Sequence, residues 1–393
     1  MGEGTPQDAV EKPVIFVVAA EPSGDALGGP ILRALESQAP GRYRYIGVGG
    51  EQMQAAGLET LFPMADITAF GLTEVVPRIP QILNRLNQVV NAAHRLKPAL
   101  LLTIDGPDFS FRVARKAQDL ACPKVHVVAP TVWAWRPKRA AKIAKLYDHL
   151  LCLFPFEPPY FEKEGLPTSF IGHPLVTGPA SQADPAGFKA RHQLTDDQKT
   201  LITVLPGSRR SEVTRLAPVF GEALGQLRDQ LGPVQAVIPT VNAVAALVRE
   251  HTKPWPVPVT ITQDADEKYH AMASGQVALA ASGTVSLELA LTRTPAVIAY
   301  RANALSAAIF RRMAITKYVG LPNVILDRPL IAECLQEHCT PGRLSQEMLR
   351  LIRDQKAREA VLDGYESVAQ QLGQGRLQPA QMAADRLLSL VIG

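Results

Sequence analysis

Short apolar runs alternate along this chain with segments of helical period, and the alternation occurs in two successive series. The runs that read as strands in the first half are residues 14–20, 45–48, 100–104, 124–128 and 149–154. Those in the second half are residues 201–205, 235–239, 277–281 and 296–300. Strands that alternate with helices pair in parallel, because each crossover connection returns the chain to the same end of the sheet. The pattern predicts an α/β protein with two doubly wound, Rossmann-like domains.

The predicted helices divide between the same two series. Their expected starts lie near Ser23, Glu51, Ile79, Phe111, Pro137, Glu212, Val241, Tyr269, Val285 and Ala304. Between the series, residues 172–197 are rich in Gly, Pro, Ser and Asp, which is typical of a linker. We therefore expect a first domain over residues 1–178 and a second over residues 179–365. The remaining segment, 366–393, predicts an amphipathic helix that crosses back to the first domain or is exchanged between two copies.

Composition and charge exclude several classes of function. Hydrophobic residues make up 47% and charged residues 20% of the chain, as in ordinary globular proteins. The balance of 41 Lys and Arg against 37 Asp and Glu, a net charge of +4, is too even for a protein whose main partner is nucleic acid. The four cysteines have no CxxC spacing, which disfavours a zinc ribbon or a disulfide framework and favours the cytoplasm. We expect neither a signal peptide nor a membrane span.

Loops after predicted strands of the first half carry polar residues. Ser23 lies in the turn AAEPSGD (19–25), where it serves either as a helix N-cap or as a ligand contact. Asp105 and Asp108 follow the strand at 100–104, and one of them is a candidate general base. The alternative is that they close the turn and cap the next helix. Trp135 and Arg136 combine an aromatic ring with a cation, which suits a sugar phosphate but also a solvated helix face.

Two loops of the second half resemble phosphate-binding turns. In LPGSRRSEV (205–213), Gly207 allows close approach of the backbone to a phosphate and Arg209 supplies a guanidinium fork. In ASGTVSLE (281–288), small residues again precede a helix, and Glu288 can bind ribose hydroxyls. Helix capping explains either loop alone, but two such loops at successive strand ends of one domain favour a nucleoside diphosphate site.

Other sequence features argue against a cofactor or a metal. Residues 47–50 (GVGG) begin like a dinucleotide fingerprint, but Gln52 stands where its third glycine is needed. The triplet Asp264-Ala265-Asp266 resembles a metal-binding DxD, yet it lies before a predicted helix, where acids favour the helix dipole. No histidine pair has metal-ligand spacing. We therefore expect no cofactor and no bound metal.

The segment ADITAFGLTEVV (65–76) is unusually apolar for a loop. Its apolar side chains are those of Ile67, Phe70, Leu72, Val75 and Val76. Because Gly71 and Pro77 interrupt the helical pattern, we expect these side chains to stay exposed and to contact a bilayer or an acyl chain. The helix expected from Ile79 onward has Ile82, Leu83, Leu86 and Val90 at the spacing of an ordinary core face.

Taken together, the motifs resemble those of one family across nearly the whole chain. Its blocks, in order, include EPSGDALGG (21–29), IDGPDF (104–109), PTVWAWRPKR (130–139), LPGSRRSEV (205–213), ASGTVSLE (281–288), LPN (321–323) and ECLQ (333–336). In these blocks the chain is similar to the lipid-A-disaccharide synthases, bacterial glycosyltransferases of the GT-B architecture. The resemblance implies inverting transfer of the sugar of UDP-2,3-diacylglucosamine to the 6-hydroxyl of 2,3-diacylglucosamine 1-phosphate (lipid X). The products are UDP and the β-1,6 disaccharide 1-phosphate of lipid A biosynthesis.

The resemblance also implies roles for individual residues. It makes Asp105 the base and places Arg209 at the departing UDP. The UDP-sugar contacts that it implies are Gly207, Ser208, Arg209, Ser282, Gly283, Thr284, Glu288, Asn323, Glu333 and Gln336. The implied acceptor contacts are Ser23, Gly24, Asp25, Trp135 and Arg136. Members of the family lie peripherally on the cytoplasmic face of the inner membrane, and a homodimer that exchanges C-terminal segments is known among them.

Departures from the family pattern are few, and two other functions stay open at this point. The family commonly has Gly, Ala and Asn where Ala20, Gly106 and Ser110 stand. A non-hydrolysing UDP-sugar epimerase has a similar fold, but it does not need the apolar segment 65–76. A sugar-nucleotide-binding or lipid-binding protein without catalytic activity does not need Asp105 or Arg209.

Overall fold

A computed structural model describes residues 12–68, 72–135, 137–194, 199–302 and 316–392. For residues 72–76, 135 and 392 the description covers the backbone only. The chain divides into two compact units. The first unit contains the chain up to Pro174 and the segment from Leu377 onward, and the second unit runs from Leu175 to Arg376. The expected boundary at 365 falls inside the helix that spans residues 355–371. Val361 and Tyr365 of this helix belong to the core of the second unit.

Within its described residues, the first unit contains a seven-stranded parallel sheet. The strands are β1 (Val14–Ala19), β2 (Arg44–Val48), β3 (Leu58–Thr60), β4 (Leu100–Ile104), β5 (Lys124–Val127), β6 (His149–Cys152) and β7 (Thr168–Phe170). Their order is β3-β2-β1-β4-β5-β6-β7, and every residue of β1 and β4 is buried. The strand order reverses between β1 and β4, and ligands of such sheets bind at the carboxyl ends of strands at this switch point.

Helices cover both faces of this sheet. They are α1 (Pro22–Gln38), α2 (Glu51–Ala55), α3 (Leu72–Leu96), α4 (Pro107–Lys116), α5 (Val132–Trp135), α6 (Arg139–Ala144) and α7 (Pro158–Glu162). The expected start of α3 near Ile79 was wrong, because the helix already begins at Leu72 and continues through Pro77 and Pro80. Each proline removes one backbone hydrogen bond but holds φ near its helical value, so it need not end the helix.

Within its described residues, the second unit contains a six-stranded parallel sheet. The strands are β8 (Thr200–Leu205), β9 (Val234–Pro239), β10 (Val259–Thr262), β11 (Val277–Ala281), β12 (Ala296–Tyr300) and β13 (Ala332–Leu335). Their order is β10-β9-β8-β11-β12-β13, so the order reverses between β8 and β11. The two loops predicted to bind phosphate leave the carboxyl ends of these two strands, at the switch point of the second sheet.

The helices after residue 180 complete both units. They are α8 (Pro185–Arg191), α9 (Arg210–Leu231), α10 (Asn242–Thr252), α11 (Lys268–Ser274), α12 (Val285–Leu291), α13 (Leu321–Leu326), α14 (Pro341–Arg353), α15 (Gln355–Gln371) and α16 (Pro379–Ile392). The helix expected near Ala304 lies outside the described residues. Across the part of the chain that is described, no helix has the length and apolar character that a bilayer span requires.

The C-terminal helix α16 packs on the first unit of its own chain. Ala384 and Leu387 lie in the same apolar core as Leu32 and Leu35 of α1. At the edge of this contact the Gln38 amide donates to Gln381 Oε1 over 2.9 Å. The apolar face of the last helix covers α1. The chain therefore returns to the first unit at its C-terminal end.

Candidate active site

The first site lies where β1 and β4 end, at the switch point of the first sheet. Asp105 follows β4 directly, and its backbone N–H donates to the Val127 carbonyl over 3.0 Å. Ser23 lies in the first turn of α1, and its hydroxyl donates to Asp105 Oδ2 over 2.6 Å. The structure therefore brings these two sequence-predicted residues into direct contact, with Ser23 fixing one carboxylate oxygen of Asp105.

The backbone at Asp105 adopts a conformation that is unusual for a residue with a side chain. Asp105 has φ +52° and Gly106 has φ +51°, so two successive residues are left-handed. For a residue other than glycine this conformation is sparsely populated and costs of order 1 kcal/mol, and such strain is concentrated at functional sites. The glycine at 106 avoids the cost at the second position.

Glu21 is a residue that sequence reasoning did not place in this site. Burial raises the pKa of Glu21, and the negative charges of Asp105 and Asp108 raise it further. Glu21 therefore takes up a proton more readily than an ordinary glutamate. The sequence of the turn EPSGD predicts a tight turn, but it does not show that the Glu21 carboxylate lies beside Asp105 and Asp108. Among the described residues no group of three or more His, Cys, Asp and Glu side chains is arranged to hold a metal ion.

A pocket of about 480 Å³ lies beside these carboxylates. Its polar rim is formed by Glu21, Asp108 and Arg112. Its apolar lining includes Ile67, Ile79, Ile82 and Leu83. The pocket thus combines an apolar wall with charged groups at the end of β4.

The apolar residues around this pocket differ in exposure from what the sequence suggested. Ile67 is only 6% exposed and belongs to the core, so the expectation that it reaches solvent or a bilayer was wrong. Ile79 and Leu83 were expected in the core, but 43% and 44% of their surfaces are exposed. The face of α3 that packs on the core begins at the partly buried Ile82 and is fully buried from Leu86.

The other apolar residues expected at a membrane or acyl chain are described incompletely. Phe70 lies outside the described residues. Leu72, Val75 and Val76 lie in the first turns of α3, where the backbone alone is described. Trp135 ends α5 with its side chain undescribed, and Arg136 lies outside the description.

Asp25 was expected to contact the acceptor, but its side chain binds backbone groups of the first unit. It is only 7% exposed, and its carboxylate accepts the backbone N–H groups of Gly50, Gln52 and Met53 over 2.9 to 3.1 Å. These bonds tie α1 to the start of α2. Gly24 is also structural, because a Cβ there would lie 2.7 Å from the Ile104 carbonyl oxygen. Asp25 therefore holds α1 against α2, and Gly24 lets α1 approach the end of β4.

Replacing Asp25 by alanine should therefore destabilise the first unit. We expect Asp25→Ala to lower the free energy of unfolding by about 3 kcal/mol, because several charge-assisted hydrogen bonds are lost together. Urea denaturation followed by circular dichroism measures this loss, and the acceptor KM of the folded fraction should not change. Glu164→Ala, at an exposed position of the same unit, is the control. A stable Asp25→Ala protein with a raised acceptor KM would restore the ligand role.

The second site is a pocket of about 350 Å³ at the switch point of the second sheet. It brings together the sequence-predicted residues Gly207, Ser208, Arg209, Ser282, Gly283, Thr284 and Glu288. It also contains residues that sequence reasoning missed: Glu212, Pro239, Thr240, Val241 and Lys268. Pro239 ends β9 and Lys268 begins α11. Their positions at a strand end and at a helix start were the sequence signal that could have placed them in the site.

Glu212 occupies the N-terminus of α9 with its own negative charge. Its Oε2 accepts the N–H groups of Ser208 and Arg209 over 3.1 and 3.2 Å, and its Oε1 accepts Arg209 Nη1 over 3.0 Å. Gly207 has φ +116°, and a Cβ at this position would lie 2.5 Å from Glu212 Cβ. The Arg209 side chain is nevertheless 80% exposed. Of these groups, the guanidinium of Arg209 is the one exposed to solvent, whereas the two N–H groups already donate to Glu212.

Glu288 is held on the opposite side of this pocket. Its Oε1 receives Lys268 Nζ at 2.6 Å and the Tyr269 hydroxyl at 3.1 Å. Burial and the Glu288 charge together raise the pKa of Tyr269, which keeps this phenol protonated as a donor. Because both contacts go to Oε1, the second oxygen of Glu288 is available to accept a hydroxyl of a ligand.

Asn323, Glu333 and Gln336 do not line this pocket, and Asn323 and Glu333 line a different pocket of about 390 Å³. Asn323 is 1% exposed, and its oxygen accepts the N–H groups of Leu330 and Ile331 while its amide donates to Glu333. Glu333 in turn accepts the backbone N–H groups of residues 319 and 320. Gln336 Oε1 accepts the Ala302 N–H over 3.2 Å. The three side chains shape the loops around β13, and their contact with a UDP-sugar stays a prediction.

Comparison with known proteins identifies the family of this chain. The family model described as lipid-A-disaccharide synthetase matches residues 15–387 of the chain. The lipid-A-disaccharide synthase of Rhodospirillum centenum is 50% identical over 381 residues, which cover 96% of this chain and 94% of the relative. That of Ruegeria pomeroyi is 41% identical over 389 residues and covers 96% of both chains.

Solved structures with the same fold include two enzymes of low sequence identity. The UDP-GlcNAc 2-epimerase of Neisseria meningitidis, bound to UDP-GlcNAc, has a TM-score of 0.60 at 11% identity and covers 96% of this chain and 98% of its own. MurG of Acinetobacter baumannii has a TM-score of 0.56 at 14% identity and covers 96% of this chain and all of its own. Such likenesses show the fold alone, whereas the sequence relatives show the family. The chain belongs to the lipid-A-disaccharide synthase family, and its two parallel-sheet units have the GT-B fold.

Proposed function

We propose that this protein transfers the sugar of UDP-2,3-diacylglucosamine to the 6-hydroxyl of lipid X, with inversion at C1, as a lipid-A-disaccharide synthase. The observation that carries the proposal is the convergence of seven of the ten predicted UDP-sugar residues in the pocket of about 350 Å³. The second support is Asp105, held by Ser23 at the switch point of the other sheet. The relatives at 41% and 50% identity carry the name of this activity.

In the proposed reaction, Asp105 takes the proton of the acceptor hydroxyl as this oxygen attacks C1 of the donor. An inverting transfer needs such a base, because the nucleophile is a neutral alcohol that becomes an ether oxygen. Asp105 Oδ2 already accepts the Ser23 hydroxyl over 2.6 Å, so Oδ1 is the atom that receives the proton. Ser23 is then a positioning residue for the base, although the sequence suggested that it contacts the acceptor.

The donor pocket binds UDP and stabilises it as it leaves. The β-phosphate gains negative charge when the C1–O bond breaks, and Arg209 can neutralise it because its guanidinium is 80% exposed. Gly283, with φ +154°, lets the backbone of the second loop approach the diphosphate. Glu288 accepts ribose hydroxyls through its second oxygen. These residues provide the charge stabilisation themselves, so we expect transfer to proceed in the presence of EDTA.

The acyl chains of the acceptor, in this proposal, contact the pocket beside Asp105. Ile79, Ile82 and Leu83 provide its apolar wall, and the cation of Arg112 is the charged group suited to a phosphate. The exposed Ile79 and Leu83 also suit a peripheral position at the cytoplasmic face of the inner membrane, where both lipid substrates reside. A homodimer would form by exchange of α16, because its contacts with α1 can be made within or between chains.

Polar replacement of the exposed pair on α3 tests the membrane contact. We expect Ile79→Gln combined with Leu83→Gln to weaken binding to anionic phospholipid vesicles at least about tenfold, because each apolar side chain contributes roughly 1.5–3 kcal/mol when fully buried. Vesicle cosedimentation measures the bound fraction. Val241→Gln, which alters a 47% exposed residue of the second unit, should leave vesicle binding unchanged. Equal binding of the double variant and the unaltered protein contradicts this contact.

The decisive experiment measures UDP release by the purified protein in detergent micelles with EDTA present. Three reactions are compared: UDP-2,3-diacylglucosamine alone, lipid X alone, and both together. Release only with both, together with a disaccharide 1-phosphate in the lipid extract, is the expected result. Release from the donor alone would instead indicate hydrolysis or epimerisation. No release in any reaction, with UDP still bound in a titration, would indicate a binding protein.

A further inference from the structure

The left-handed backbone at Asp105 is held from the inside of the first unit by Ser110. This serine lies in the first turns of α4, is fully buried, and donates its hydroxyl hydrogen bond to the Asp105 carbonyl over 2.7 Å. Its own backbone N–H donates to the Gly106 carbonyl over 3.0 Å. Ser110 therefore donates hydrogen bonds to the carbonyls of both left-handed residues, Asp105 and Gly106. Without the hydroxyl, the Asp105 carbonyl would lose this partner at a position where water has little access.

Ser110 is itself fixed by a buried polar chain behind it. The Tyr147 hydroxyl donates to the Ser110 carbonyl over 3.2 Å, and the Thr103 hydroxyl donates to Tyr147 Oη over 3.0 Å. Thr103 Oγ1 also lies 2.7 Å from His126 Nδ1 and 3.4 Å from the Val125 carbonyl oxygen. Burial lowers the pKa of His126 to about 3, so the ring stays neutral with a single N–H. Buried hydrogen bonds therefore connect Ser110 through Tyr147 and Thr103 to His126.

The two serines around Asp105 act on different parts of it. Ser23 binds the carboxylate at the solvent side, whereas Ser110 binds the main-chain carbonyl at the protein side. The direction of the Cα–Cβ bond follows from the backbone angles, so the bond from Ser110 determines where the carboxylate points. A change in φ at Asp105 would move the carboxylate away from Ser23. Displacements of about 1 Å in catalytic groups can reduce rates by about 100-fold.

We propose that Ser110 is a positioning residue for the transfer: its hydroxyl holds the Asp105 backbone in the left-handed conformation that aims the carboxylate at the acceptor hydroxyl. This inference rests on Asp105 being the base of the proposed reaction. Ser110 touches no substrate, so it acts on the rate through Asp105 and leaves substrate binding to other groups.

The test compares Ser110→Ala with a matched variant of the second unit. Ser274 is 1% exposed, and its hydroxyl donates to the Ala271 carbonyl over 2.7 Å, so Ser274→Ala removes a bond of the same kind far from any base. Both variants should lower the thermal midpoint to a similar extent. We expect Ser110→Ala to lower kcat about tenfold or more with both KM values and the UDP affinity unchanged, and Ser274→Ala to leave kcat within about twofold. Ser110→Thr keeps the hydroxyl and should retain most of kcat.

A double-variant cycle separates positioning through Asp105 from general loosening. Ser110→Ala added to Asp105→Asn should cause no further loss of the residual rate, because the carboxylate that it positions is already gone. Additive losses, equal losses in Ser110→Ala and Ser274→Ala, or an unchanged kcat in Ser110→Ala would overturn the inference. Full activity of Asp105→Asn alone would instead remove the base from the proposed function. The two failures are therefore distinguishable.

Discussion

Asp105→Ala should lower kcat by about 10³-fold while the affinity for UDP stays within about twofold, since general base catalysis contributes about 10² to 10⁴ in rate. The variant loses the carboxylate at the end of β4, but the donor pocket lies in the second unit and is not altered. The kcat is measured as disaccharide formed in micelles, and the UDP affinity by isothermal titration calorimetry. In the Asp105→Ala variant the Ser23 hydroxyl loses its carboxylate partner. Replacing Ser23 by alanine in that variant should therefore change kcat little further.

Asp108→Ala is the matched control for this result. Asp108 lies three residues further along the chain, its side chain is 98% exposed, and among the described residues its ion pair is with Arg139 at 3.8 Å. Its loss should change kcat by less than about fivefold, because an exposed carboxylate with weak contacts contributes little to orientation. If Asp108→Ala lost activity and Asp105→Ala kept it, the base would be Asp108.

Arg209→Ala should weaken UDP binding by about 50-fold and lower kcat over the donor KM by about 10²- to 10³-fold. The Arg209 side chain is exposed and lines the donor pocket, and among the described residues its ion pair is with Glu212, so the guanidinium can bind the diphosphate. Arg209→Lys should recover a small part of the affinity, because an ammonium group cannot form the bidentate contact. Titration with UDP and with uridine separates the phosphate contact from contacts to the nucleoside.

Arg210→Ala provides the matched control, since this neighbouring arginine is exposed and does not line the donor pocket. Its effect on UDP affinity should be less than about threefold and should disappear at high salt, as expected for a distant surface charge. Equal UDP affinity in Arg209→Ala and the unaltered protein would show that this arginine is not a phosphate contact. An equal loss of uridine binding would point to a collapsed pocket instead.

The central strands of both sheets were predicted to within two residues, whereas the edge strands were not predicted at all. The missed strands are β3, β7, β10 and β13, which lie at the four edges of the two sheets. A central parallel strand is buried on both faces and reads as a continuous apolar run. An edge strand is short and partly exposed, so its residues do not form such a run.

The site residues divide in a similar way. The loops that follow β1, β4, β8 and β11 were predicted from their turn chemistry, since each combines a glycine with a polar residue after a strand. The direction of a side chain within such a loop could not be predicted. Asp25 and Asn323 have the residue types of ligand contacts, but their buried side chains bind backbone groups of segments distant or adjacent in sequence.

The sequence by itself determined the two parallel sheets and the loops that follow their central strands, because apolar periodicity and turn residues act over a few positions. Only the tertiary structure decided which polar residue binds which partner. Packing of segments far apart in the chain leaves Ile79 and Leu83 exposed. The same packing places Glu21 and Lys268 in the two sites. The same holds for Ser110 beneath Asp105. Hydrogen bonding and burial depend on distances in space, and these are fixed only when the strands are ordered in their sheets.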